Sequence, residues 1–241
     1  MKQHTSAIAA LTLVLALAIG FHPSQAGAEP LLAVPGKTLY QSKLDSIPAG
    51  KWKAAKGQWE VTEGTWRGSQ LAADNHGAVI RLQESYSDFV IDFEFKFEGA
   101  RVTSLTINAV KGHMARILIT PKTVTIRRDD QDHDGPDKAV IFAVFPAEFK
   151  AGTLHKVRLE MVGDTLLGKV DNLVAWGSDP LFKAPKHNPG FTCGGQSIAL
   201  RNFSIRQATL NPRWAEVKKD LPKPGEKIHR PVRRTKTRKT K

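Results

Sequence analysis

The chain of 241 residues is 41% hydrophobic and 24% charged, with a formal net charge of +13 and a single cysteine, Cys193. One cysteine excludes an intramolecular disulfide and a Cys-paired zinc site, so the fold must rest on a packed core, which about 180 residues can supply. The charge is uneven: residues 211–241 hold twelve Lys and Arg against Glu216, Asp220 and Glu226, a balance of +9, so the basic pI reports mainly on that stretch.

Lys2 and His4 open a polar start, the run from Ala7 to Phe21 is apolar, and small residues stand at Ala26 and Ala28. Those fifteen apolar residues fall short of the roughly 20 that span a bilayer. Residues 1–28 therefore read as a cleaved signal peptide, and the mature protein as secreted or periplasmic with no transmembrane segment. Leu31 to Gly36 is a lead-in. Short β-rich runs separated by turn residues then follow, at the spacing of a sandwich. They fall at Thr38–Gln41, Gln58–Val61, Thr65–Leu71, Ala78–Leu82, Phe89–Phe97, Thr103–Val110 and Ala115–Ile119. Further runs lie at Thr123–Arg127, Ala139–Val144, Leu154–Val162, Thr165–Val170, Leu173–Trp176, Gly190–Thr192 and Ser197–Arg206.

The stretch from Val90 to Glu98 is the clearest of these. Ile91, Phe93, Phe95 and Phe97 alternate with Asp92, Glu94, Lys96 and Glu98. A period of two puts the apolar set on one face of a strand and the charges on the other, which is the mark of a half-buried antiparallel sheet. Gly163-Asp164 and Asp171-Asn172 make tight turns, since these residues tolerate left-handed backbone angles. Asn211-Pro212 can cap a short helix that runs to about Asp220, with Trp214 pinning it to the sandwich. Past Leu221 aromatics are absent and aliphatics nearly so, which predicts a disordered basic tail. The expectation is an all-β, antiparallel two-sheet sandwich over 29–210, acting as a monomer, followed over 211–241 by the helix and tail.

Four segments also occur in a telling order: GQWEVTEGTWRG (57–68), YSDFVIDFEFKFEG (86–99), AGTLHKVRLEMVGDTLLGKVDN (151–172) and SIALRNFSIR (197–206). Together they resemble the concanavalin A-like, laminin-G-like jelly rolls of the 3-keto-disaccharide hydrolase type, common in exported bacterial proteins. Gly57, Trp59, Val61, Tyr86, Asp88, Phe89, Gly152, His155, Arg201, Asn202, Ile205 and Arg206 occupy that family's motif positions. The resemblance implies a glycan-facing jelly roll over roughly residues 38–208. The family's hydrolases carry a Gly-Asn-Ser-Gly segment and then a Glu-x-Gln-x-x-Asp strand, whereas residues 101–120 read RVTSLTINAVKGHMARILIT, with neither pattern.

Glycoside hydrolysis needs two carboxyl groups about 5–10 Å apart. Asp92, Glu94 and Glu98 share one strand face, where residues two apart sit about 7 Å from each other. They are the candidate acid and base; with Lys96 interleaved, they also read as a solvated face. Trp52, Trp66 and Trp176 stand at strand ends or turns and are candidate platforms for sugar rings, with Trp59 assigned to the core. His113, in a loop near a cleft, is a further candidate carbohydrate ligand. Asp130, Asp132 and Asp134 lead into Gly135 as in many calcium loops, with Asp129 and Asp137 as outer ligands, making Ca2+ the one candidate cofactor. A helix-loop-helix hand is ruled out, because Ile141 stands where the bidentate Glu belongs. There is no Gly-x-Ser-x-Gly elbow and no phosphate-cradling glycine loop. No aromatic follows Trp214 to stack on bases, so the tail suits an anionic cell-envelope polymer better than nucleic acid. The readings left standing are a binder of carbohydrate or envelope polymer, a glycoside hydrolase, and a structural envelope protein.

Overall fold

A computed structural model describes residues 30–47, 50–132 and 135–226. Residues 1–28, expected above to be a signal peptide, His133, Asp134 and the basic stretch from 227 onward, expected to be disordered, lie outside the described residues. Sixteen strands account for most of the rest. The first eight are β1 (Ala33–Ser42), β2 (Trp52–Lys56), β3 (Gln58–Thr62), β4 (Thr65–Ser69), β5 (Ala78–Leu82), β6 (Ser85–Tyr86), β7 (Phe89–Phe97) and β8 (Ala100–Asn108). The others are β9 (His113–Thr120), β10 (Thr123–Arg128), β11 (Val140–Pro146), β12 (Leu154–Val162), β13 (Thr165–Val170), β14 (Leu173–Ser178), β15 (Lys186–Gly195) and β16 (Ile198–Leu210). A short helix α1 (Trp214–Val217) ends in a 3-10 turn over Lys218–Asp220.

The strands form two antiparallel sheets, as the alternation predicts. The first runs β14-β13-β12-β7-β16-β4-β3, with β1 also paired to the long β16. The second runs β11-β10-β9-β8-β15-β5-β2, with β6 paired to β15. Between them lies the core. From β7, Ile91, Phe93, Phe95 and Phe97 point inward and are buried, and Phe93 meets Phe191 of β15 edge to face at 5.0 Å. Cys193 is buried there too, and burial pushes its thiol up to about 12, so it acts as a small hydrophobe. Asp171 takes the left-handed conformation at its turn (φ 50°), and His155 Nδ1 lies 2.7 Å from its Oδ2. Its Oδ1 accepts the Lys156 N–H, so this histidine orders neighbouring backbone.

Four tryptophans stand elsewhere than expected. Trp52 and Trp66 are core residues, with ring centroids 4.9 Å apart. Trp52 Nε1 donates to Tyr40 Oη at 2.8 Å, and Trp66 Nε1 to the Ser46 carbonyl at 2.6 Å. Both stand at inward positions of their strands, so their rings are buried and present no face for a sugar. Trp59 is half-buried at the margin of the core, with its ring lying on Gly68, where a Cβ would come within 2.5 Å of it.

A second, smaller core covers part of the first sheet's outer face. Leu32, Ala33, Val90, Val162, Leu167, Ala208 and Trp214 pack there, with Trp176 and Val217 at the margin. Trp214 meets Trp176 edge-on at 5.5 Å, and Lys218 Nζ lies 5.8 Å from the Trp176 ring centre. Trp176 is thus the bed of α1 and not an open platform. No helix among the described residues is long and apolar enough to cross a membrane.

Candidate functional site

Both outer faces carry grooves, and their chemistry differs. On the first sheet, the charged side of β7 is woven into ion pairs. Asp92 receives Arg158 Nε at 2.7 Å and Arg206 Nη2 at 2.7 Å. Glu94 accepts from Asn202 Nδ2 at 2.7 Å. Glu98 lies 2.8 Å from Arg67 and 2.7 Å from Lys96. The hydrogen bond from Arg67 holds the Glu98 carboxyl below its ordinary value, the reverse of what a general acid needs. A groove of about 710 Å³ borders Asp92, Arg158 and Arg206. The one acid pushed upward on this face is Glu160, raised by burial. It is fully buried and accepts the Ala33 N–H at 2.8 Å, so it fastens β1 to the sheet and does not face the groove.

The second sheet's outer face carries a groove of about 640 Å³ built on its central strands. The register explains its shape. One cross-strand row reads Lys53, Arg81, Gly190, Thr106, Arg116 and Arg127, from β2 through β5, β15, β8 and β9 to β10. The adjoining row reads Val79, Thr192, Ser104, Leu118 and Thr125. Small residues occupy the middle of both rows and longer ones the flanks, which makes a trench. Gly190 is required: a Cβ there would come within 2.1 Å of the Ile80 carbonyl and 2.8 Å of Arg81 Cδ. The Arg81 side chain therefore lies across Gly190, with Nη1 donating to the Phe191 carbonyl at 3.1 Å and the Ile80 carbonyl at 3.3 Å.

Arginine dominates the electrostatics of this trench. Burial, and then the neighbouring Arg116 charge, lower Arg81 to about 10, so it stays protonated at neutral pH. Arg81 makes no ion pair among the described residues. Arg101 Nη2 donates to Gln70 Oε1 at 3.4 Å and likewise makes no ion pair. Arg116 and Arg127 both reach the fully buried Asp129, each at 2.7 Å and one to each oxygen. These are ion pairs without hydrogen-bond alignment, since neither Asp129 oxygen accepts a well-aimed N–H. No carboxylate is among the described residues that line the groove.

Of the residues singled out from sequence, His113 alone lines this trench, with Nδ1 3.0 Å from Asn108 Oδ1. Arg81, Arg101, Arg116, Ser104 and Thr192 were not foreseen. The available signal was Arg81, a charge inside the apolar strand Ala78–Leu82, together with Gly190 and Gly194 flanking Thr192 at alternate positions of β15.

The Asp-rich loop adjoins one end of the trench through the His113 N–H, which donates to the Gln131 carbonyl at 2.9 Å. Oxygens of Asp130, Asp132 and Asp137 lie within 4.8 Å of one another. Asp137 thus joins the set, Asp134 lies outside the described residues, and Asp129 faces away into its arginine pair and is no outer ligand. Asp137 Oδ2 already receives Arg128 Nη1 at 3.2 Å and the Gln131 N–H at 3.1 Å. A guanidinium therefore already occupies one of the two Asp137 oxygens.

Neither a protein-family model nor a curated protein matches the chain. Solved structures do. The chain resembles the carbohydrate binding module CBM66 from Bacillus subtilis with a TM-score of 0.53 and 14% identity, over 65% of this chain and 96% of that one. A Bacillus subtilis protein with a galectin-like fold gives a TM-score of 0.57 at 13% identity, over 75% and 100%. The laminarinase from Rhodothermus marinus gives 0.55 at 10% identity, over 73% and 99%. At such identities the likeness is one of architecture, and it places the chain among the concanavalin A-like jelly rolls.

Proposed function

We propose that the protein is an exported, non-catalytic, monomeric jelly roll that binds carbohydrate in the trench on the outer face of its second sheet. The observation that carries this reading is the trench itself: a floor of Thr192, Gly194 and Ser104 flanked by guanidinium and imidazole groups. Small floor residues leave room for a chain of sugar rings, and fixed donors at the rim can hold its oxygens. The apolar N-terminal segment supports export. The fold neighbours include a carbohydrate binding module, which fits this use of the architecture.

The competing reading is a glycoside hydrolase of the 3-keto-disaccharide hydrolase type, with Asp92, Glu94 and Glu98 as acid and base. The groove beside Asp92 favours it. Against it, each of the three carboxylates is already held by Arg, Lys or Asn. A purely structural envelope protein would use neither groove.

Affinity electrophoresis through gels containing soluble polysaccharides tests the binding reading. Thr192→Trp, placed on the half-buried floor, is expected to abolish retention with its melting temperature kept within a few degrees of wild type. Full retention by this variant would overturn the trench as the site. Release of reducing sugar by wild type, lost in Glu94→Gln, would establish the hydrolase instead.

A further inference from the structure

We infer that the ligand of the trench is an anionic glycan, one bearing carboxylate or sulfate-ester oxyanions, and that Arg81 and Arg101 are the residues that select the charge. The inference rests on the binding reading above and specifies its substrate class.

Three independent features lead there. The first is charge balance. Arg81, Arg101 and Arg116 line the trench and Arg127 stands next in the row, while Asp129 is the one carboxylate among the described residues that pairs with any of them. Asp129 is fully buried beneath Arg116 and Arg127 and is spent on those two. Lys53 extends the same row beyond Arg81.

The second feature is that the arrangement runs against stability. Like charges directly opposite on neighbouring strands destabilise a sheet, yet Arg116 stands opposite Arg127. Arg81 is held in a desolvated position where burial and the Arg116 charge together disfavour its proton. Its donors reach only backbone carbonyls, which neutralise nothing. Asp129 offsets the Arg116–Arg127 pair, but Arg81 has no carboxylate partner among the described residues, and a buried cation kept without an internal counterion is configured for an external one.

The third feature is what the trench lacks. No tryptophan, tyrosine or phenylalanine is among its described lining residues. Neutral-sugar sites commonly stack an aromatic ring against the pyranose face. Without one, charge-assisted hydrogen bonds are the remaining strong contact, and guanidinium groups match carboxylate and sulfate oxygens in geometry as well as in sign. The same lack argues against single-stranded nucleic acid, whose sequence-tolerant binding depends on stacking.

The test uses the full mature chain, so that the basic C-terminal residues are present in every arm. Retention is measured in gels, and affinity by titration calorimetry, with four probes: polygalacturonate, its methyl ester, dextran sulfate and dextran. Binding to polygalacturonate, to dextran sulfate or to both is expected, with these two anionic probes separating carboxylate recognition from sulfate recognition. The methyl ester and dextran should be retained at least about tenfold more weakly, the loss expected when a charged hydrogen bond is removed. Arg81→Gln with Arg101→Gln should weaken the anionic probe by about tenfold or more, and Arg81→Lys by less. Arg101→Gln alone, at an exposed side chain, keeps the test open if the double variant misfolds. Dextran bound as tightly as the anionic probes, and displaced by Thr192→Trp, would overturn the charge selection and leave the trench standing as a carbohydrate site. No binding of any glycan would overturn both. Equal retention of an oligonucleotide, lost in the same arginine variants, would mark a general polyanion surface and sink the glycan assignment.

Discussion

Arginine is weakly hydrated for a cation and never gives up its proton easily, which is why Arg81 can lie over Gly190 and still be charged. Glu160 poses the opposite problem: a carboxyl fully buried under β1, raised by desolvation and only partly relieved by the Ala33 N–H and the more distant Arg158. A group whose folded-state value is raised binds its proton more tightly in the folded state. Its favourable contribution is therefore complete below the ordinary value of 4.5 and is lost as pH climbs through the raised one. Glu160→Gln keeps an acceptor for Ala33 and removes the charge. The variant is expected to match wild type in urea melts near pH 4, and to gain on it progressively toward pH 7. A wild type more stable than the variant at pH 7 would mean that the Arg158 contact outweighs desolvation.

Among the elements, α1 is anchored by Trp214, which meets Trp176 edge-on and shares a cluster with Val90 and the start of β1. Trp214→Ala removes a large buried ring from a small satellite cluster, and a cost of about 3 kcal/mol is expected in denaturant melts. Trp176 emission should shift to the red as its cover is lost, while retention in the trench, on the opposite sheet, stays unchanged. Much of this architecture is legible in the residues. β5, β7, β12 and β13 fall where alternation and turn chemistry put them, because each has one face committed to the core. β2 escapes notice because Trp52 is its only inward anchor and the Lys and Ala that follow have weak strand preference. β15 reads as a short strand because Pro189 and its glycines look like breakers, although a register shift between His187 and Gly190 absorbs them. The candidate site was hidden for a related reason. Arg81, Arg101 and Arg116 sit at outward positions, where a charge ordinarily means solvent. Only the register reveals that small residues between them sink the surface into a trench. The tryptophans misled in the other direction, since a position at a strand end says nothing about which face of the sheet the ring occupies or what packs over it.

Over the whole molecule the two outer faces divide the work. The first sheet spends its charges internally, on Asp92, Glu98 and Glu160, and is partly roofed by β1 and α1. The second leaves arginine unmatched along a trench. Residues 227–241 add eight Lys and Arg with no acid. Two positive features on one chain should act at different stages of capture. A run of eight like charges acts through the long-range field, which is screened within about 10 Å at 0.1 M salt. Partly buried guanidinium groups act at contact and are screened less. A chain ending at Glu226 is therefore expected to associate more slowly with a polyanionic glycan at low salt, with the difference vanishing toward 0.5 M. Its dissociation rate should be that of the full chain. Independent action of the two predicts the same Arg101→Gln penalty with or without residues 227–241, since independent sites contribute additively. Stopped-flow association across a salt series, run on both lengths with and without Arg101→Gln, measures all of these. If shortening the chain abolished the Arg101 effect, the tail and the trench would form a single site; if it abolished binding at every salt concentration, the anionic partner would belong to the tail.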